Sequence, residues 1–206
     1  MTLLAKVCGL TRPEDVAFAA AQGADLLGFV SHPASQRHCA DLALASPWLD
    51  RAVLVMVADR PETILAQAHS HGFRWVQPYL PAAIREYGLR LLQSAGHSVL
   101  LPWADEPGQL PLAAELYVWE TSATVTGLFG GSGQVHAMAF PPPGDFILAG
   151  GLEAGNLLDR AAQLPAADRV RLRGVDAASR LEAAPGRKDP AMVAAFIRTA
   201  HALEIP

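Results

Sequence analysis

The chain alternates short apolar runs with longer amphipathic segments, and this alternation continues along all 206 residues. A short apolar run rich in branched residues predicts a strand buried on both faces, and a longer amphipathic run predicts a helix. The runs predict eight strands, at 4–8, 24–30, 52–57, 73–77, 98–103, 116–120, 146–149 and 170–176. Because amphipathic segments separate most of these strands, we expect parallel strands joined by right-handed crossovers.

The segments between the strands carry the usual signals of helix ends. Pro13 suits the first turn of a helix, and Gly23 suits a C-terminal cap. The predicted helices cover 13–22, 39–49, 60–72, 81–95, 154–163 and 188–203. Pro107, Gly108 and Pro111 interrupt the segment between the fifth and sixth strands. We therefore expect a loop there in place of a fifth helix.

Eight strands alternating with helices can close into a (βα)8 TIM barrel. The chain is short for this fold, whose lower limit is about 200 residues, and a missing helix agrees with that length. An open doubly wound sheet is the alternative, but it normally carries a glycine-rich turn directly after its first strand. Here the first strand runs into Cys8-Gly9-Leu10-Thr11. We predict a compact α/β barrel that forms a single domain over residues 1–206.

Composition argues against several classes of partner. A net charge of -4 with scattered basic residues lacks the basic face that nucleic-acid binding requires. No apolar stretch reaches the roughly 18 residues of a membrane-spanning helix, and the N-terminal segment does not resemble a secretory signal. The two cysteines, Cys8 and Cys39, form no disulfide framework, so we expect a reducing, cytoplasmic location. The sequence carries no signal for the oligomeric state.

In a barrel of this kind the active site lies at the C-terminal ends of the strands. Cys8 ends the first strand and Glu120 ends the sixth, while Gln77 and Asp176 end the fourth and eighth. A thiol and a carboxyl facing each other across the barrel mouth would form a base and an acid. Taken singly, Cys8 also fits a small buried core residue, and Glu120 also fits a surface carboxylate. The histidines show no spacing that supports a metal site.

The strand ends late in the chain suggest a phosphate site. Gly150 and Gly151 follow the seventh strand, and Ser179 follows the eighth. Backbone N–H groups at these two places form the usual phosphate cradle of the fold, although glycine is also ordinary in turns. The segment 121–143 holds four glycines and no convincing helix. It fits either a mobile loop over the site or a surface excursion.

Several of these positions together resemble the phosphoribosylanthranilate isomerase family of tryptophan biosynthesis. Residues 6–11 read K-V-C-G-L-T, which is similar to that family's K-[IV]-C-G-[IL]-T. Residues 33–37 resemble its P-x-S-x-R, and residues 130–133 resemble its glycine-rich loop after the sixth strand. Residues 148–152 and 175–189 match its last two strand ends. The matches are collinear and extend over nearly the whole chain.

The resemblance implies an Amadori rearrangement of N-(5'-phosphoribosyl)anthranilate, a small phosphosugar, to a 1-amino-1-deoxyribulose phosphate, without cofactor or metal. It assigns Cys8 as the base that removes the C2 proton and Glu120 as the acid that opens the ribose ring. It places Arg37 against the anthranilate carboxylate, where a guanidinium fork is well suited. It implies further substrate contacts at Gln77 and Asp176. The phosphate would bind at Gly150, Gly151, Ser179 and Arg180.

Three positions depart from the family pattern. Glu120 stands where the family has aspartate, and its extra methylene moves the carboxyl by roughly 1 Å, a misplacement that can cost on the order of 100-fold in rate. Residues 77–80 read Q-P-Y-L in place of Q-L-H-G. Arg180 replaces a glycine, where it either adds a charged contact or crowds the phosphate. Cys8 also needs a positive neighbour to act as a base, and Lys6 is a candidate.

Two other functions stay open at this point. One is the same rearrangement on a different aminosugar phosphate. The other is a barrel that binds a phosphorylated metabolite without catalysis.

Overall fold

The computed structural model describes residues 2–121 and 137–204. Eight parallel strands lie in sequence order around a closed barrel, and the last strand pairs with the first. The strands are β1 Leu4–Cys8, β2 Leu26–Ser31, β3 Ala52–Val57, β4 Trp75–Tyr79, β5 Ser98–Ala104, β6 Leu116–Glu120, β7 Phe146–Leu148 and β8 Leu172–Ala177. The prediction of a (βα)8 barrel is confirmed.

The described helices lie between these strands and after the last one. They are α1 Pro13–Ala21, α2 Pro61–His71, α3 Ala82–Ser94, α4 Leu157–Gln163, α5 Ala166–Arg169 and α6 Pro190–Ala202. Residues 105–115 contain no helix, so the expected loss of the fifth helix is confirmed. None of the described helices is long and apolar enough to span a membrane.

Two short 3-10 helices and a small hairpin complete the described structure. The 3-10 helices are Leu42–Trp48 and Ser179–Leu181, and the antiparallel hairpin is β9 Glu182–Ala184 with β10 Arg187–Lys188. The predicted helix at 39–49 is therefore a shorter 3-10 turn. Pro47 lies inside this turn, where its missing N–H group and its ring disfavour a regular α-helix.

Two predicted helices begin later than expected because local hydrogen bonds hold the preceding residues in loops. Asn156 donates to the carbonyl of Gly151 and accepts from the N–H of Glu153, so α4 begins at Leu157 and not at 154. The Asp189 carboxylate accepts from the N–H groups of two residues in the first turn of α6. This cap starts α6 at Pro190, two residues later than expected.

β4 ends two residues later than the sequence predicts, at Tyr79 and not at Gln77. Pro78 suggested an earlier end, because proline cannot donate to a strand ladder. β4 pairs with β5 only at Trp75 and Val76, and Pro78 lies beyond that paired region. A residue without an N–H group is therefore tolerated. The later end brings Tyr79 to the barrel mouth.

The barrel has an inner and an outer apolar core. The inner core is made of small and branched residues, namely Cys8, Leu26, Val53, Val55, Leu100, Val118, Ile147 and Ala149. The outer core lies between strands and helices and takes the larger rings, such as those of Phe29, Phe146 and Phe196. Along each strand the side chains alternate between these two cores. Polar side chains at inward positions near the strand ends consequently meet in the barrel mouth.

Candidate active site

A cavity of about 850 Å³, counting the space continuous with solvent, opens at the C-terminal ends of the strands. This is within the usual size range of ligand sites. All nine site residues predicted from the sequence line it: Cys8, Arg37, Gln77, Glu120, Gly150, Gly151, Asp176, Ser179 and Arg180. They come from four strands, β1, β4, β6 and β8, and from the loops that follow β2, β7 and β8. The barrel therefore brings the predicted residues together in one place.

A buried ion pair lies beneath the thiol on the first strand. The Nζ atom of Lys6 lies 2.9 Å from Oδ2 of Asp176, and the Lys6 side chain is fully buried. Burial alone would lower the pKa of Lys6, but the charges of Asp176 and Cys8 outweigh it and raise the pKa above its ordinary value. Lys6 therefore carries a positive charge at the base of the site.

Lys6 is also the positive neighbour that Cys8 needs. Burial raises the pKa of the Cys8 thiol, and the charge of Asp176 adds to this effect. The charge of Lys6 and its hydrogen bond to the sulfur oppose the increase, and the more remote charge of Lys188 assists. Lys6 thus favours the thiolate of Cys8, although burial still leaves the pKa of the thiol above its ordinary value.

Glu120 lies in the same cavity and is buried. Burial raises the pKa of its carboxyl to about 7, and a hydrogen bond from Tyr79 opposes part of that increase. The charge of Asp176 raises the pKa further, and that of Lys6 lowers it. At neutral pH the carboxyl is present in both protonated and ionised forms. Glu120 can therefore donate a proton and recover it within a catalytic cycle.

Tyr79 connects Glu120 to the fourth strand. Nε2 of Gln77 donates to the Tyr79 hydroxyl over 2.9 Å, and the same hydroxyl hydrogen-bonds Glu120. Burial and then the nearby Glu120 raise the pKa of Tyr79 well above its ordinary value of 10, so the phenol keeps its proton. The sequence interpretation missed Tyr79 because it ended the strand at Gln77. The signal available was position, since residues two apart on a strand share a face.

Arg37 is held by Glu182, which matches the family's final stretch but to which the sequence interpretation assigned no role. Its Nε and Nη2 atoms each donate to one oxygen of Glu182, both over 2.8 Å. Lys188 donates to the same carboxylate over 3.0 Å and to the carbonyl of Ala178 over 3.0 Å. Burial lowers the pKa of Lys188, and the Glu182 charge opposes this decrease. One buried carboxylate thus fixes two cations at the edge of the cavity.

The backbone after the seventh strand adopts the shape expected of an anion cradle. Gly150 and Gly151 have φ values of 93° and 65°, which favour glycine because a side chain there is strained. Neither N–H group has a partner among the described residues. Ser179 begins the 3-10 helix after β8 on the other side of the cavity. Amide groups from two loops therefore border the same region.

Comparison with known proteins decides the family. No protein-family model matches the chain. N-(5'-phosphoribosyl)anthranilate isomerase from Azorhizobium caulinodans is 34% identical, in an alignment that covers 99% of this chain and 94% of the relative. The chain belongs to the phosphoribosylanthranilate isomerase family. The crystal structure of phosphoribosylanthranilate isomerase from Thermus thermophilus is similar, with a TM-score of 0.77, 25% identity, and coverage of 98% of this chain and all of that one.

A second solved structure of phosphoribosylanthranilate isomerase contains reduced 1-(o-carboxyphenylamino)-1-deoxyribulose 5-phosphate. Its TM-score to this chain is 0.69 at 23% identity, with coverage of 98% of this chain and all of that one. At that identity the likeness supports the shared barrel fold.

Three positions that depart from the phosphoribosylanthranilate isomerase pattern line the cavity: Tyr79, Glu120 and Arg180. Glu120 and Tyr79, which replace the aspartate and the strand-four histidine, contact each other. Arg180, which replaces a glycine, has a half-exposed side chain whose Nη1 atom is 3.9 Å from Oε1 of Glu153. Two of the three departures are thus directly coupled in space.

The sequence also predicts no metal site and a mobile glycine-rich loop. In the described residues no group of three or more histidine, cysteine, aspartate or glutamate side chains is arranged to hold a metal ion. The glycine-rich part of the predicted mobile loop, residues 127–133, lies outside the described residues. The described segment at its far end is fixed in place, since Trp103 donates to the carbonyl of Phe140 over 2.9 Å.

Proposed function

We propose that this chain is an N-(5'-phosphoribosyl)anthranilate isomerase that works by general acid–base catalysis with Cys8 and Glu120. One observation carries the proposal. A thiol in contact with a buried lysine and a buried carboxyl whose pKa is about 7 line the same cavity. This pair supplies a base and an acid to one substrate. Family membership supports the choice of substrate over another aminosugar phosphate or simple metabolite binding.

The reaction proceeds by opening of the ribose ring and proton transfers. Glu120 protonates the ribose ring oxygen as the bond from C1 to that oxygen breaks, and the anthranilate nitrogen lone pair forms a C=N bond. The Cys8 thiolate then removes the proton from C2, and the released electron pair forms a C=C bond while the C=N electrons return to nitrogen. The resulting enol tautomerises to the ketone. The sum is an isomerisation, so no oxidant or reductant enters the balance.

Arg37 is proposed to bind the anthranilate carboxylate. A guanidinium carries five N–H groups, and Glu182 takes one from Nε and one from Nη2. The remaining N–H groups on Nη1 and Nη2 form a second fork that matches a planar carboxylate. Glu182 thus orients Arg37 without using up its binding capacity.

Gln77 and Asp176 are proposed to bind the ribose hydroxyls. Oε1 of Gln77 and Oδ1 of Asp176 are buried and have no hydrogen-bond partner within the described part of the chain. A buried acceptor without a partner is costly, and sugar hydroxyl groups would satisfy both oxygens. This role would account for two unpartnered acceptors on residues that line one cavity.

The phosphate is proposed to bind between the ends of β7 and β8. The N–H groups of Gly150, Gly151 and Ser179 supply donors, and such backbone donors are favourable for an anion. Arg180 supplies a positive charge, which Glu153 partly offsets. The family's glycine provides no such charge at this position.

The test is loss of substrate fluorescence when the purified chain is added to freshly prepared N-(5'-phosphoribosyl)anthranilate. We expect turnover by the wild type and none by Cys8→Ala. Cys39→Ala is the matched control, because Cys39 is also buried but donates to the carbonyl of Asp41 away from the cavity. A folded wild type without turnover would reject the proposed function. Full activity in Cys8→Ala would reject Cys8 as the base.

We also propose that the isomerase acts as a single domain in the cytoplasm. The closed barrel, which joins β1 to β8, supports the first point. The second is supported by both cysteines being free thiols, as is usual in reducing compartments.

A further inference from the structure

We propose that Tyr79 is a positioning residue for Glu120, holding the carboxyl through a hydrogen-bond relay that begins at Gln77. The inference rests on the proposed function, because it assigns a partner to the proton donor of that reaction. Tyr79 acts through Glu120 and is not itself the acid or the base.

The relay has a definite direction. A phenol has one proton to donate and lone pairs that accept. Nε2 of Gln77 donates to the Tyr79 oxygen over 2.9 Å, which leaves the phenolic proton for Glu120. Gln77 is buried and belongs to the same strand as Tyr79. Gln77 therefore holds the Tyr79 hydroxyl on one side, and Glu120 contacts it on the other.

Glu120 requires such a partner more than a shorter acid would. A glutamate has one more rotatable bond than an aspartate, so its carboxyl is less well fixed by the end of its strand. The groups that act on this carboxyl come from three strands: Tyr79 on β4, Lys6 on β1 and Asp176 on β8. Lys6 and Asp176 are engaged with each other over 2.9 Å. Tyr79 is consequently the neutral donor among these neighbours.

The two changes from the family pattern form a matched pair in this chain. Glu120 stands at an aspartate position and Tyr79 at a histidine position, and the structure places the two side chains in contact. A phenol whose pKa is raised stays neutral over the working range of pH. It supplies a hydrogen bond to the longer acid without competing with it for a proton.

The first experiment compares wild type with Tyr79→Phe, which removes the hydroxyl and keeps the ring. We expect kcat to fall by about 10- to 100-fold, because loss of positioning on the ångström scale has that size, with a smaller change in KM. The pH limb that belongs to Glu120 should move to higher pH, because the Tyr79 hydrogen bond lowers the pKa of Glu120. A purely structural role of Tyr79 would not move this limb.

Tyr87→Phe is the matched control for this substitution. Tyr87 also donates to a glutamate, Glu62, over 3.0 Å, but both lie on the exposed surface. We expect this variant to keep the wild-type kcat and pH profile. Substrate ionisation is common to all variants and cannot cause a difference between them.

The second experiment is a double-mutant cycle with Glu120→Asp, Tyr79→His and the combined variant, which together restore the family's residues. We expect each single variant to lose activity and the combined variant to be more active than additive losses allow. The cycle also tests the inference if Tyr79→Phe fails to fold, because Tyr79→His keeps a polar ring. Additive losses, or a Tyr79→Phe enzyme with unchanged kcat and pH limb, would overturn the inference. A wild type without turnover would instead reject the proposed function.

Discussion

At the scale of single residues, the acid and the base have an unusual order of pKa values. Burial raises the pKa of Cys8 above that of an ordinary thiol, while the pKa of Glu120 is about 7. The reaction requires Cys8 as thiolate and Glu120 as acid. Above pH 7 most molecules instead have a neutral Cys8 thiol and an ionised Glu120 carboxylate. Only a small fraction of the free enzyme is therefore in the reactive form. Activity at neutral pH depends on how far Lys6 limits the increase at Cys8.

This order predicts the shape of the pH profile of kcat/KM, which reports the free enzyme. Below about pH 7 activity should rise with pH, because more thiolate forms while Glu120 stays protonated. Between the two pKa values it should be level, since gain of thiolate and loss of acid cancel. It should decline once Cys8 is ionised. Measurements of kcat/KM across this pH range would test the order of the two pKa values. A decline that begins at about pH 7 would contradict it.

Replacing the acid by its amide tests the role of Glu120 directly. Glu120→Gln keeps the size of the side chain and its ability to hydrogen-bond Tyr79, but it has no acidic proton to donate. We expect kcat to fall by about 10²- to 10⁴-fold, the usual contribution of general acid catalysis. Glu86→Gln, on the exposed face of α3, is the control and should keep the wild-type rate. A fully active Glu120→Gln enzyme would show that another group opens the ring.

At the scale of elements, the loop after β1 is shaped to accommodate Arg37. Gly9 has a φ of 74°, and a Cβ atom placed on it would lie 2.7 Å from Cδ of Arg37. Arg37 cannot easily move away, because Glu182 holds its guanidinium at two points. The loop therefore requires glycine for two reasons, its backbone conformation and the close approach of Arg37.

These two reasons can be separated by a pair of variants. Gly9→Ala should lose about 1–2 kcal/mol of stability from its left-handed backbone and should also raise KM, since the added methyl displaces Arg37. Gly96→Ala has a similar φ of 88° but no atom within 4 Å of the added Cβ, so it should lose stability alone. Urea unfolding and steady-state kinetics measure the two effects. Equal KM values in both variants would argue against an effect through Arg37.

The elements that the sequence predicts well are those whose evidence is local. Apolar runs and proline or glycine at helix ends located all eight strands and most described helices. The end of β4 was missed because tolerance of Pro78 depends on where β5 stops pairing with β4. The contacts of Tyr79 with Glu120 and of Arg37 with Glu182 join distant strands and loops. Such contacts depend on the register between strands and on the direction of each side chain. The apolar pattern of a single strand contains neither.

At the scale of the whole molecule, the catalytic site and the closure of the barrel share an ion pair. β1 and β8 are the first and last strands, and their pairing completes the barrel with Lys6 opposite Asp176 in register. The bond between these two side chains therefore crosses the closing seam. A buried ion pair contributes little net stability compared with apolar residues, but breaking it leaves an uncompensated charge.

This distinction predicts different effects for single and double replacements of the pair. Lys6→Met leaves Asp176 buried without its cation, and we expect a loss of about 3–5 kcal/mol in the free energy of unfolding. Lys6→Met/Asp176→Leu removes both charges and should recover much of that loss. Turnover should remain absent in both, because Cys8 has lost its positive neighbour and the site has lost the Asp176 carboxylate. Urea unfolding measures the first property and the fluorescence assay the second. If the double variant were as unstable as Lys6→Met, the pair would be needed for closing the barrel; recovered stability without turnover would assign the pair to the chemistry of the site.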